Sequence, residues 1–400
     1  MVGVAGWGGM SVVEALKGFR AELAETPAGL PRVRRAAKLS LLCAKELLGT
    51  AALAPFALRA QLTHRGLLRR RRHHALHGVA YGPAQRQLMD VYFPVDGGGA
   101  AGAEGKVGAP SPVAVFVHGG VWSSGEAWHY APLGAQLAEE GVVCFVPTYS
   151  LYPSATVDKQ VVEVGQALDF AFQTAEQFGG DPENVTLLGH SAGAQLGLLE
   201  VLYRAGLGKG KGRRNSRKQP RKFVGMAGCY DIRKHWWYEH GRGVHRLSTM
   251  ERAFGGRDRF HALSPACLLQ DTFEDQFTPD ARAGPPLEGE LEGRALAWVA
   301  HIAEEQRNLP SGDLPSSLGG HPYAAPMPDC FLLAGLMDQT VPWAWSTDMH
   351  AKLNRAGVRS ENLVYDQAGH GDFVVGWGHG SGPRTPPYVA DAVKIIKRAG

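Results

Sequence analysis

The sequence has few cysteines and no pairing pattern among them. Cys43, Cys144, Cys229, Cys267 and Cys330 are an odd number, with no C-x-x-C pair and no histidine at ligand spacing from any of them. That argues against a disulfide framework and against a cysteine-based zinc site, and reduced thiols suit a cytosol-facing protein. Long apolar runs are also missing. Within the first eighty residues the longest uncharged apolar segment, Leu47 to Leu58, carries Pro55 and is too short to span a bilayer, which takes roughly 20 residues. Extending it back to Leu39 would place Lys45 and Glu46 in hydrocarbon. Met1 to Met10 has no basic stretch ahead of an apolar one, so it does not read as a secretory signal.

Acidic side chains are scarce in two places. Residues 1–80 hold 13 basic and 4 acidic groups, and residues 204–222 hold nine basic groups and no acid. The net charge of +4 therefore conceals two segments of +9 each on a body of −14. An acidic body with basic appendages excludes a nucleic-acid-binding fold and leaves anionic surfaces as what the appendages would meet. With 44% apolar residues, the chain as a whole is neither disordered nor fibrous.

In residues 1–80 the apolar piece stands beside Arg69, Arg70, Arg71 and Arg72, which predicts an amphipathic or re-entrant membrane anchor or, equally, a helical pair packed on the body. His73, His74 and His77 continue the basic run without a nearby acid or cysteine, so they read as solvated or headgroup-facing and not as metal ligands. From Gln87 onward short β-branched runs alternate with helical stretches, which predicts an α/β domain over 81–400 with a mostly parallel sheet flanked by helices. Strands are expected at Leu88–Phe93, Val113–Val117, Val142–Val146, Val185–Leu188, Phe223–Ala227, Cys330–Ala334 and Leu363–Tyr365. Helices are expected at Ala131–Glu140, Val157–Phe178, Ala192–Arg204, Val244–Phe254, Ala344–Ala356 and Val389–Arg398. Three segments interrupt the plan: Gly97–Pro112 reads as a hairpin loop, Gly206–Arg221 as a solvated basic loop that does not fit a phosphate-binding pattern, and Gln270–Pro328 as an insertion with a helical piece around Leu291–Gln306.

The strongest chemical signal is Gly189-His190-Ser191-Ala192-Gly193 between an apolar run and a helical one. Strand, tight turn and helix are the context in which G-x-S-x-G exposes a nucleophilic serine, and the glycines relieve crowding around the strained turn. His118-Gly119-Gly120 follows an earlier strand, so the N–H groups of Gly119, Gly120 and Ala192 are the candidate oxyanion hole. The chain order serine, acid, histidine then selects Asp338, after the strand at Cys330, and His370, in the glycine-flanked loop after the last strand. Asp231 and Asp366 are the competing acids. His118 and His190 are expected to orient turns and not to act as bases. Trp122, Trp128, Trp236 and Trp343 stand in loops after strands and are the candidate walls of a substrate pocket. This chemistry requires no metal or organic cofactor.

With those residues assembled, the chain resembles the α/β-hydrolase fold and, within it, the HGG esterases related to hormone-sensitive lipase. Gln87-Leu88-Met89-Asp90-Val91-Tyr92-Phe93-Pro94, His118-Gly119-Gly120-Val121-Trp122 with Gly125 and Trp128, Phe178-Gly179-Gly180-Asp181-Pro182, Gly228-Cys229-Tyr230-Asp231 and Ser264-Pro265 are similar to plant isoprenylcysteine α-carbonyl methylesterases. The resemblance covers about residues 40–270 and 328–375. It implies a lipidated-peptide or small-molecule ester as substrate, and attachment to endoplasmic reticulum or Golgi membranes with the catalytic body facing the cytosol. Two departures stand out: the family's tyrosine–arginine pair reads Tyr149-Ser150 here, and the segments from Gly206 and Gln270 have no counterpart. H-G-G-x-W also occurs in kynurenine formamidases, so an amide hydrolase is the alternative, and a non-catalytic hydrolase-fold receptor or scaffold is the reading from another class.

Overall fold

A computed structural model of the chain describes residues 12–52, 54–66, 73–95, 109–208, 217–272, 326–379 and 382–398. Eight strands form one sheet: β1 His73–Ala80, β2 Leu88–Pro94, β3 Ser111–Val117, β4 Val143–Pro147, β5 Gly180–His190, β6 Lys222–Met226, β7 Asp329–Gly335 and β8 Ser360–Tyr365. Their spatial order is β1-β2-β4-β3-β5-β6-β7-β8. β1 and β2 run antiparallel to their neighbours, and β3 to β8 are mutually parallel. This is the α/β-hydrolase fold expected from the sequence. The register Val117↔Gly189↔Gly225 aligns the carboxyl ends of the central strands, where the candidate loops emerge together.

The sheet is covered on both faces, which is why its central strands read as continuous apolar runs with no alternation. Val113, Val115, Val117 and Leu187 pack on one side with α5 Val157–Thr174, α6 Ala192–Arg204 and α10 Ala344–Arg355. Ala114, Phe116, Cys144 and Val146 pack on the other with α4 Ala131–Glu139, α11 Asp372–Val375 and α12 Pro387–Lys397. Cys144, Cys229, Cys267 and Cys330 are buried free thiols, the core residues their apolar settings suggest.

Several expectations need correction. The strand β1 falls inside the segment read as a helical extension, so the last residues of 1–80 belong to the sheet. The Gly97–Pro112 connection is no hairpin, because β4 lies between β2 and β3; most of that segment lies outside the described residues. The helix expected at Val244–Phe254 exists only as α8 Met250–Phe254. The preceding helix, α7 Ile232–Arg242, went unread because its sequence is polar and aromatic all round. It is instead defined by its ends, the Asp231 carboxylate accepting from Arg233 and Lys234 N–H, and Gly243 at φ 74. A further helix, α9 Pro265–Thr272, precedes the insertion, and the helical piece expected at Leu291–Gln306 lies outside the described residues.

The basic stretch 204–222 is anchored at both ends and is not wholly solvated. Arg204 is fully buried against Glu200 and Asp169, and Lys222 donates to the carbonyls of Ile396 and Arg398. At the amino end, α1 Val12–Glu25, α2 Leu30–Ala52 and α3 Ala54–His64 replace the expected helical pair. Arg246 pairs with Glu22 and Glu25, and Arg59 donates to the Gly378 carbonyl, so these helices touch the body. No described helix is long and apolar enough to cross a membrane. The run Arg69 to Arg72 lies outside the described residues.

Candidate active site

Ser191 sits at the tip of the turn between β5 and α6 with φ 54 and ψ −120, a conformation strained for any residue with a side chain. Space around the turn explains the two glycines. A Cβ on Gly189 would stand 2.5 Å from the Gly193 carbonyl oxygen, and one on Gly193 would stand 2.2 Å from that of Val117. Ser191 is the N-cap of α6, so the positive end of that helix lies behind its hydroxyl.

The fold brings the three candidate catalytic residues into one hydrogen-bonded line. His370 Nε2 is 3.0 Å from Ser191 Oγ, and His370 Nδ1 is 2.7 Å from Asp338 Oδ2. The other carboxylate oxygen of Asp338 accepts from the Thr340 and Val341 N–H groups at 2.8 Å each, which fixes its orientation. The competitors are elsewhere. Asp231 caps α7 and pairs with Arg233, while Asp366 is exposed.

On the other side of the serine, a Cβ on Gly119 would lie 2.9 Å from the His190 carbonyl oxygen and 3.0 Å from Ser191 Cβ, so only glycine brings the backbone this close. Among the described residues the N–H groups of Gly119, Gly120 and Ala192 meet no acceptor, although Ala192 is almost wholly buried. Unengaged donors at Gly119 and Ala192, next to Ser191, suit an oxygen that carries charge only during reaction.

Other side chains hold the loops of the site, Arg86 among them without any sequence signal. The His118 ring stacks 4.4 Å from that of Tyr149, whose hydroxyl donates to the His118 carbonyl; burial lowers the His118 imidazole to about 4. Arg86 spans three segments, donating to the Tyr149 carbonyl, the Gly125 carbonyl and the Glu126 carboxylate. His190 Nε2 lies 3.0 Å from the His370 carbonyl oxygen, and burial, reinforced by the charge of His370, lowers its imidazole to about 3. A neutral His190 thus holds the backbone of the loop that presents His370. At the departure from the family pattern, the Ser150 hydroxyl donates to the buried Glu163 carboxylate.

The four tryptophans differ in exposure. Trp122 is 3% exposed, donates its indole N–H to Gln195 and sets its ring edge against Phe254. Its carbonyl accepts from Gln160 and Tyr152, so it locks the strained loop after Gly120, where Val121 and Trp122 both have positive φ. Trp236 is 4% exposed and packs among Trp237, His240, His245 and Arg257. Trp128 and Trp343 are half-buried.

Residues 103–231 match the BD-FAE family. The chain is 27% identical over 302 residues to a protein named Probable isoprenylcysteine alpha-carbonyl methylesterase from Oryza sativa subsp. japonica, covering 74% of this chain and 57% of that one. It is 32% identical over 198 residues to the isoprenylcysteine alpha-carbonyl methylesterase of Arabidopsis thaliana, covering 48% and 43%. The chain thus spans about half the length of these curated relatives. An inhibited esterase B from Lactobacillus rhamnosis superposes with a TM-score of 0.58 at 14% identity, covering 86% of this chain and 93% of that one, which is a likeness of fold. Sheet order, serine turn and sequence likeness together give the chain the α/β-hydrolase fold and a likeness to the isoprenylcysteine α-carbonyl methylesterases.

Proposed function

We propose that the protein is a serine carboxylic-ester hydrolase whose substrate is a prenylcysteine methyl ester. The observation that carries the reading is the unbroken line from Asp338 through His370 to Ser191. In this mechanism Ser191 Oγ attacks the ester carbonyl carbon while His370 Nε2 takes its proton, and Asp338 holds Nδ1–H and stabilises the imidazolium. The carbonyl oxygen becomes an oxyanion facing the Gly119, Gly120 and Ala192 N–H groups. Collapse breaks the C–O bond, and His370 returns the proton to the departing methanol. Water, deprotonated by His370, then releases the carboxylate and regenerates the serine.

Support for the finer substrate comes from the relatives' names and from burial arithmetic. A prenyl group gains about 0.8 kcal/mol per buried methylene, binding energy remote from the carbonyl that can be applied in the transition state. Attachment to endoplasmic reticulum or Golgi membranes through the first eighty residues belongs to the same proposal. Ser191→Ala should lower hydrolysis of a short p-nitrophenyl ester by about 10⁴-fold or more. Comparing kcat/KM on farnesylcysteine methyl ester and on N-formylkynurenine tests the substrate. Preference for the formamide would replace the methylesterase reading with an amide hydrolase.

A further inference from the structure

We propose that His64, His77 and Asp90 form a site for a zinc-class divalent cation that pins the third helix to the antiparallel edge of the sheet. His64 is the last residue of α3, while His77 and Asp90 lie on the paired strands β1 and β2. The strand register shifts between Leu76 and Val79, and Gly78 inside that bulge has φ 69. A bulge re-aims the side chains within it, and here it accompanies the approach of His77 to Asp90. The Gly78 N–H donates to Asp90 Oδ1 at 3.1 Å, the kind of outer contact that orients a metal-binding carboxylate, while Oδ2 faces the two rings and also accepts from the Tyr92 hydroxyl at 3.4 Å.

The spacing suits a small cation. His64 Nδ1 is 3.2 Å and His77 Nδ1 is 3.0 Å from Asp90 Oδ2, and one donor atom from each residue lies within 4.8 Å of the others. Ligands at about 2.0–2.1 Å from a tetrahedral zinc stand about 3.3–3.4 Å from one another, close to both separations. His64 Nδ1 is buried and makes no aligned hydrogen bond although it lies beside the carboxylate. Coordination would give that buried nitrogen a partner. Two imidazoles with one carboxylate select zinc, cobalt or nickel over magnesium or calcium, and leave a position for water. The half-exposed rings of His64 and His77 provide the path of entry.

This site is separate from the residues assigned to hydrolysis, so its failure and that of the esterase reading are distinguishable. The test uses the full chain, stripped with EDTA and dialysed against Zn²⁺ alone or Co²⁺ alone. One equivalent of zinc and an intense tetrahedral cobalt spectrum are expected. His64→Ala and His77→Ala should each weaken binding at least tenfold, and unchanged ester hydrolysis in both variants would show that they are folded. Sub-stoichiometric zinc, a spectrum like that of aqueous cobalt, or equal affinity in both variants would overturn the proposal.

Discussion

At the scale of single residues, Asp338 is separated from its rivals by what each carboxylate touches. Asp338 presents one oxygen to His370 and the other to two backbone N–H groups, whereas Asp231 is committed to the start of α7. Asparagine at 338 would donate where it must accept and hold the wrong histidine tautomer. Asp338→Asn should therefore lower turnover by about 10³- to 10⁴-fold. Asp366→Asn should leave turnover near wild type. Asp231→Asn keeps the cap oxygen but loses the ion pair with Arg233, so it should instead lower stability while turnover holds. Steady-state kinetics and urea titration of the three variants separate these outcomes, and a crippled Asp231→Asn with normal stability would reassign the acid.

The elements behind the site are tied together by a buried cation. Arg204, at the end of α6, pairs with Glu200 and Asp169 and donates to the carbonyls of Gly165 and Lys218. Those contacts join α6 to α5 and to the chain leading into β6. Removing one member of a buried charge network leaves its partners uncompensated, so Arg204→Leu should destabilise the fold by about 3–5 kcal/mol. A fall of only a few tenths in chemical denaturation would mean that water replaces the guanidinium. The serine turn stands at the opposite end of α6 from Arg204, so a surviving fraction of folded variant should keep the kcat of wild type.

For the whole molecule, buried histidines set the response to acid. Burial lowers His118 to about 4 and His129 and His190 to about 3, from an ordinary 6.5. Below pH 6.5 the unfolded chain binds protons that the folded one refuses, so stability present above 6.5 is lost as pH falls toward those values. Each fully buried ring contributes up to about 1.4 kcal/mol per pH unit. The urea midpoint should drop steadily between pH 6.5 and 4.5, and a flat profile over that interval would show that these rings are protonated in the native state.

Much of this protein was determined by its sequence alone, because the signals were local. Continuous apolar runs marked the central strands β3, β4 and β7, since a strand covered on both faces needs apolar residues at every position. Gly189 and Gly193 marked the serine turn because adjacent backbone leaves no room for a Cβ. Chain order was enough to nominate Ser191, Asp338 and His370. What tertiary structure alone decided were pairings between distant segments. The edge strand β1 was hidden in a basic, histidine-rich stretch, and only its pairing with β2 reveals that His77 has an acid beside it. Trp122 and Trp236, both expected in loops, are buried, and Trp236 stands on α7, whose polar and aromatic sequence carries no helical period. Tyr149, Arg86 and His190 support the site through contacts with residues 31 to 180 positions away, distances at which no sequence period survives and only the fold supplies a neighbour.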